Sequence, residues 1–214
     1  MHTNQENFWL SDFGKDYTER NSYSIKEWNE AYIEYWGHTR QAMNEKSLRG
    51  ISTESKILEV GCNIGMQLRT LQQMGFSNLF GIELQQYAVE RAKDFTEEIN
   101  IIQGSGFDLP FKEAYFDLVF TTGVLIHIAP KDLPQIMDEM YRCSNKYIWG
   151  WEYFAEKTTE INYRGNEGVL WKANYAQLFL DRFSDLDMVS YQDYPYLTEA
   201  EKSNTNRMYL LIKK

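Results

Sequence analysis

From Lys56 onward, short apolar runs alternate with stretches whose hydrophobic positions recur at helical spacing. Lys56-Ile-Leu-Glu-Val60 reads as a buried strand, Met66 to Gly75 as a helix stopped by its glycine, and Leu79-Phe-Gly-Ile-Glu83 as a second strand. A helix from Gln85 to Phe95 and a third strand, Ile99-Asn-Ile-Ile-Gln103, follow. The alternation continues through strand Phe116 to Thr122, helix Leu133 to Tyr141 and strand Tyr147 to Trp151, the order that a parallel sheet requires. Right-handed crossovers then place helices on both faces. Asp187 to Tyr191 and Arg207 to Ile212 are strand-like with no room for a helix between them, so they predict an antiparallel pair completing the sheet. The residues before Ser52 read as a helical appendage, with Trp28, Tyr32, Tyr35, Trp36 and Met43 at helical spacing in a stripe better suited to packing than to a cleft.

The first strand breaks into Gly61-Cys-Asn-Ile-Gly65. Gly61 and Gly65 permit backbone conformations and a close ligand approach that a side chain would block, and Asn63 is among the few other residues that tolerate positive φ. The second strand ends in Glu83, the position from which a doubly wound sheet reaches a ribose diol. A carboxylate facing two hydroxyl donors is a charge-assisted match. A dinucleotide would use the same layout, but its G-x-G-x-x-G spacing needs glycines where this chain has Asn63 and Met66. Turn and carboxylate together point to S-adenosylmethionine.

Composition narrows the class. A chain of 214 residues with 43% hydrophobic content suits one compact domain with extra segments. We expect a helical lid or appendage over 1–51, a cofactor-binding domain over 52–214, and an insertion at about 154–172. The 22 basic and 31 acidic residues give a net charge of -9, which argues against nucleic acid as a partner. Cys62 and Cys143 lack metal spacing and are expected reduced, and with three histidines and no carboxylate cluster we expect no metal. The acidic, aromatic N-terminal stretch is unlike a signal peptide, and no apolar run approaches the ~20 residues of a membrane span, so a cytoplasmic location is expected.

Ile57-Leu-Glu-Val-Gly-Cys-Asn-Ile-Gly65, Gly81-Ile-Glu83, Gly104-Ser-Gly-Phe-Asp-Leu-Pro-Phe111 and Phe116-Asp-Leu-Val119 resemble the class I S-adenosylmethionine-dependent methyltransferases. The resemblance implies an α/β, Rossmann-like fold: a seven-stranded, mostly parallel sheet with helices on both faces and a C-terminal antiparallel hairpin. It implies that Glu59, Gly61, Cys62, Asn63 and Gly65 border the methionine part of the cofactor, and that Glu83, with Leu84 beside it, holds the ribose. Ser105, Gly106 and Phe107 would flank the adenine, with Thr122 a further cofactor contact. Many relatives have an acidic residue where this chain has Ser105, so main-chain groups or Asp108 are the candidates for the contact to the adenine amine. Phe8-Trp-Leu, Phe13-Gly, Tyr17, Glu19-Arg-Asn21, Gly123-Val-Leu-Ile-His-Ile-Ala-Pro130, Glu152-Tyr153 and Tyr163-Arg-Gly-Asn-Glu-Gly168 extend the likeness to the methylases associated with pseudaminic acid biosynthesis. That narrower resemblance implies a nonulosonic acid or a related amino or nucleotide sugar as acceptor.

Methyl transfer from a sulfonium is an in-line displacement, so positioning supplies much of the rate. His127, just beyond the fourth strand, is the candidate base; it could equally hydrogen-bond a neighbouring loop. Glu152, Tyr153, Tyr163, Arg164 and Glu167 are candidate acceptor contacts, with Arg164 suited to an acidic group, although Arg164 and Glu167 could simply pair in solvent. Tyr17, Arg20 and Asn21 could close over the cofactor as a lid, Arg20 meeting its carboxylate. A protein or another metabolite as acceptor, or a catalytically silent cofactor-binding subunit, remain the alternatives; oligomeric state is not readable from the sequence.

Overall fold

The computed structural model describes residues 2–214. Four helices lead the chain: α1 (Asn4–Trp9), α2 (Asp12–Arg20), α3 (Ile25–Trp36) and α4 (Arg40–Ser47). Their starts are written in the sequence. Thr3 and Ser24 form capping boxes with Glu6 and Glu27, each side-chain oxygen satisfying an otherwise orphaned amide. The alternating body follows as β1 (Lys56–Val60), α5 (Met66–Gln73), β2 (Asn78–Glu83), α6 (Gln86–Phe95), β3 (Asn100–Gln103) and β4 (Phe116–Thr122). A 3₁₀ turn at Leu125–His127 leads to α7 (Leu133–Cys143) and β5 (Ser144–Tyr153). The short strands β6 (Thr159–Glu160) and β7 (Trp171–Lys172) pair with each other, and α8 (Tyr175–Arg182), β8 (Leu186–Pro195) and β9 (Thr205–Lys213) close the chain.

The main sheet has seven strands in the order β3-β2-β1-β4-β5-β9-β8. The first five run parallel, while β9 lies antiparallel to both β5 and β8. The expected architecture, with its C-terminal antiparallel pair, is therefore present. The order reverses between β1 and β4, which opens a crevice beyond their carboxyl ends, the usual ligand position in open α/β sheets.

Two apolar clusters sandwich the sheet. One gathers Leu58, Val60, Val119, Ile136, Met140 and Phe179. The other joins Ile57, Leu118, Phe120 and Trp149 to Tyr32 and Met43 of the leading helices. Part of the aromatic stripe is thus core, as its spacing suggests, and α3 and α4 share the apolar layer of the body. Gly150 in β5 is required by packing: a Cβ there would collide with Cζ of Tyr209 on β9. Among the described residues no helix is long and apolar enough to cross a membrane.

Candidate functional site

A cavity with about 190 Å³ of space for water-sized molecules lies at the crevice, bounded by the ends of β1, β2 and β4 and roofed by α1 and α2. Its floor is the turn after β1. Gly61, Asn63 and Gly65 all have positive φ, at 75°, 47° and 78°. A side chain at Gly61 would be excluded twice, by that φ and because its Cβ would stand 2.6 Å from Val124 Cγ2. The Asn63 side chain fixes the turn: Oδ1 accepts from the Ile64 amide at 2.9 Å, and Nδ2 donates to Thr18 Oγ1 on α2 at 2.9 Å.

Glu83 closes the turn from the second strand. One carboxylate oxygen accepts from the Asn63 amide and the other from the Gln85 amide, both at 2.9 Å. Burial raises the Glu83 pKa, and the amides of Gln85 and Asn63 pull it back. Glu59 is more extreme. Only 2% exposed, it accepts from Thr122 Oγ1 at 2.9 Å through Oε1, while Oε2 has no partner. Burial pushes its pKa up to about 8 against the hydrogen bond from Thr122 and the nearby charge of Arg40. Arg40 is itself fully buried, bound to Gln67 Oε1 at 2.9 Å and set 4.9 Å from the centre of the Trp151 ring, with Nη2 unpartnered.

Two further buried polar atoms on cavity-lining residues lack partners, Trp28 Nε1 and Gln85 Oε1. Natural interiors leave few such groups. Together with Glu59 Oε2 they leave one donor and two acceptors unpartnered around the cavity. The residues present therefore fit S-adenosylmethionine: a glycine-bounded left-handed turn, a carboxylate at the end of β2, and buried polar atoms left free for a polar ligand.

His127 also lines the cavity. Its Nδ1 lies 2.7 Å from the Val169 carbonyl, which only accepts, so Nδ1 carries the hydrogen and Nε2 holds the lone pair in the neutral ring. Burial pushes its pKa down to about 4, so the imidazole is neutral at ordinary pH and holds an added proton poorly. Trp9 and Tyr163 pack on it, with ring centroids 4.6 and 5.2 Å away.

Of the expected cofactor residues, Tyr17, Glu59, Gly61, Cys62, Asn63, Glu83, Leu84, Ser105, Gly106, Phe107 and Thr122 line the cavity. Gly65 stands behind it as the cap of α5, and Arg20 is exposed with its guanidinium 5.8 Å from the Phe13 ring centre, while Asn21 of the same lid segment lines the wall. Among the expected acceptor contacts only Tyr163 reaches His127. Glu152 lies buried beneath the 3₁₀ turn, accepting from the amides of Val124 at 3.2 Å and Ile126 at 3.3 Å, so it holds the loop that carries His127. Tyr153 binds Tyr196 hydroxyl to hydroxyl at 3.2 Å, and Arg164 and Glu167 are exposed on the 163–168 turn. Sequence reasoning missed Gln5, Glu6, Trp9 and Trp28 as cavity residues. The capping box at Thr3 and Glu6 marked the helix but not what it would face.

Residues 58–146 match a family model described as a methyltransferase domain. The chain is 34% identical over 92 residues to an uncharacterized methyltransferase of Synechocystis sp., covering 43% of each chain. It is 33% identical over 93 residues to sterol methyltransferase-like 2 of Botryococcus braunii, covering 41% of this chain and 23% of that one. The chain thus spans less than half the length of these curated relatives. Among solved structures, magnesium protoporphyrin IX methyltransferase from Synechocystis, with S-adenosylmethionine bound, superposes with a TM-score of 0.68 at 14% identity, over 100% of this chain and 99% of that one. MccD protein gives 0.64 at 16% identity, over 81% and 96%. The fold is the Rossmann-like one found in class I S-adenosylmethionine-dependent methyltransferases, and residues 58–146 are similar to a methyltransferase domain.

Proposed function

We propose that this chain transfers a methyl group from S-adenosylmethionine to an oxygen or nitrogen of a small-molecule acceptor of the nonulosonic acid or related amino- or nucleotide-sugar class. One observation carries the cofactor reading: Glu83, at the end of β2, holds the left-handed turn of β1 through the Asn63 amide, and both line a single cavity. The acceptor class rests on the resemblance to methylases associated with pseudaminic acid biosynthesis.

When bound, S-adenosylmethionine supplies an electrophilic methyl group. The turn and Glu83 set the register of the nucleoside, and Glu59 offers its unpaired oxygen to the amino-acid end. His127, fixed by Val169 and braced through Glu152, presents Nε2 to the acceptor and accepts a hydrogen bond from its O–H or N–H. With its pKa near 4 it orients the nucleophile and would pass the released proton on to solvent rather than store it. Trp9, Tyr17 and Tyr163 surround that position and exclude water. Helices α1 and α2 serve as the lid, with Tyr17 on its inner face, and the 154–172 segment meets the site through Tyr163 and Val169 at His127, leaving Arg164 and Glu167 exposed on the adjoining turn for an acidic or hydroxylated acceptor.

The test is calorimetric titration with S-adenosylmethionine, S-adenosylhomocysteine and NADH, followed by mass spectrometry of activated amino sugars for a methyl gain. Saturable binding of the sulfur compounds, lost in Glu83→Ala, with a methyl gain on a sugar, supports the reading. Binding of NADH alone sinks it. Sulfur-cofactor binding with methyl gain only on a sterol, a porphyrin or a protein removes the sugar assignment, and binding with no turnover on any acceptor favours a regulatory subunit.

A further inference from the structure

The loop after β3 reaches the cavity as Gly104, Ser105, Gly106 and Phe107. It is drawn close to the sheet: a Cβ on Gly104 would stand 2.6 Å from Ile82, and one on Gly106 would stand 2.9 Å from both Val60 and Ile136. The polar capacity of Ser105 is spent locally. Its Oγ accepts from the Phe107 amide at 3.1 Å and donates its single hydrogen to Glu6 Oε1 at 2.6 Å. Ser105 therefore carries no charge into the cavity but ties a carboxylate there, one that arrives from α1.

Glu6 is 8% exposed and lines the cavity. Its Oε2 accepts from the Thr3 amide at 2.8 Å, with His2 Nδ1 at 3.6 Å on the solvent side. Its Oε1 has only the Ser105 hydroxyl and keeps a second lone pair. Burial alone would raise its pKa, but the hydrogen bonds from Ser105 and Thr3 outweigh burial and hold it below the usual carboxylate range. Glu59 and Glu83, the other carboxylates of the cavity wall, stand at the ends of β1 and β2 and are both shifted upward. Glu6 is thus the anionic acceptor on the β3 side of the pocket.

We propose that Glu6 is the base-reading group of the cofactor site, its Oε1 accepting a hydrogen bond from the exocyclic 6-amino group of the adenine. This rests on the S-adenosylmethionine reading above and adds to it the residue that selects the purine. The carboxylate comes from the leading helical segment, ninety-nine positions from the loop it serves. A nucleoside lacking the amine leaves a buried anion with an empty lone pair, which is costly.

The experiment titrates the full chain with S-adenosylhomocysteine and with its analogue whose base is unsubstituted purine, for wild type and Glu6→Gln. Glutamine also serves at this position of a capping box, so the variant keeps its helix, which circular dichroism and melting verify. Wild type is expected to favour the adenine compound about 10- to 100-fold, the range of a hydrogen bond to a charged group. Glu6→Gln is expected to bring the two within about 3-fold, mainly by weakening the adenine compound. Equal binding of both compounds by wild type overturns the Glu6 assignment and leaves the cofactor reading standing, as does a preference unchanged in Glu6→Gln. Wild type that binds neither compound overturns both.

Discussion

The indole of Trp9 meets the imidazole of His127 nearly edge-on, 4.6 Å between centroids and 69° between planes. A residue of the six-residue α1 thereby seals the ring that the 3₁₀ turn presents to the cavity. Removing the indole lets water reach His127 and cancels part of the desolvation that lowers its pKa. Trp9→Ala should move the imidazole titration from about 4 toward its ordinary 6.5, as followed by NMR of the ring protons. A titration unchanged in the variant would show that Trp9 is not what keeps the ring dry.

The same shift writes a pH dependence into folding. The folded state holds the His127 proton more weakly than the unfolded chain, with a pKa of about 4 against 6.5. The resulting stability is fully present above pH 6.5 and is lost as pH falls from 6.5 to about 4, a total of roughly 3 kcal/mol. Glu59 and Glu152, raised to about 8 and about 7, slope the other way, adding stability as pH falls. The contribution of His127 is therefore read as a difference: urea unfolding of His127→Gln against wild type should diverge above pH 6.5 and converge toward pH 4.

Glu59 pairs with a cationic ligand group only when ionised. With its pKa at about 8, affinity for S-adenosylhomocysteine should rise between pH 6.5 and 8.5, and Glu59→Gln should flatten that rise. The nearby Arg40 charge favours the ionised form, so Arg40→Met should push the midpoint of the rise to higher pH. Calorimetry across that range measures both, and a midpoint unmoved in Arg40→Met would show that the two charges do not communicate.

Gly61→Ala should cost about 1–2 kcal/mol from the left-handed backbone alone, and more from the collision with Val124, lowering both the melting temperature and cofactor affinity. Val124→Ala removes the colliding methyls, so the double variant should recover the steric part and not the backbone part. A double variant no better than Gly61→Ala would place the whole cost in φ.

The sheet was legible because its strands are apolar runs and its helices carry a 3.6-residue period, two signals that survive without tertiary context. Strand limits were read short where polar residues extend them, as in β5, where the Tyr147 to Trp151 run is the centre of Ser144–Tyr153. The turn of Gly61 and Asn63 and the carboxylate of Glu83 were legible because backbone conformation and strand ends constrain residue type locally. The roof was not. Gln5, Glu6 and Trp9 occupy a short polar helix whose pattern says only where it starts, and their partners, Gly168, Ser105 and Gln85, lie far along the chain. Segment position does not tell which side of α2 faces inward: Tyr17 and the following Asn21 line the cavity, while Arg20 is exposed.

Six residues are too few for a helix to persist on its own in water. The order of α1 is borrowed from three anchors: Gln5 on the Gly168 carbonyl, Glu6 on Ser105, and the Trp9 carbonyl on Gln85. Its backbone amides should consequently exchange with solvent deuterium among the fastest of the helical residues, and slow in step with the filling of the cavity, which makes this segment a gauge of occupancy that needs no added label.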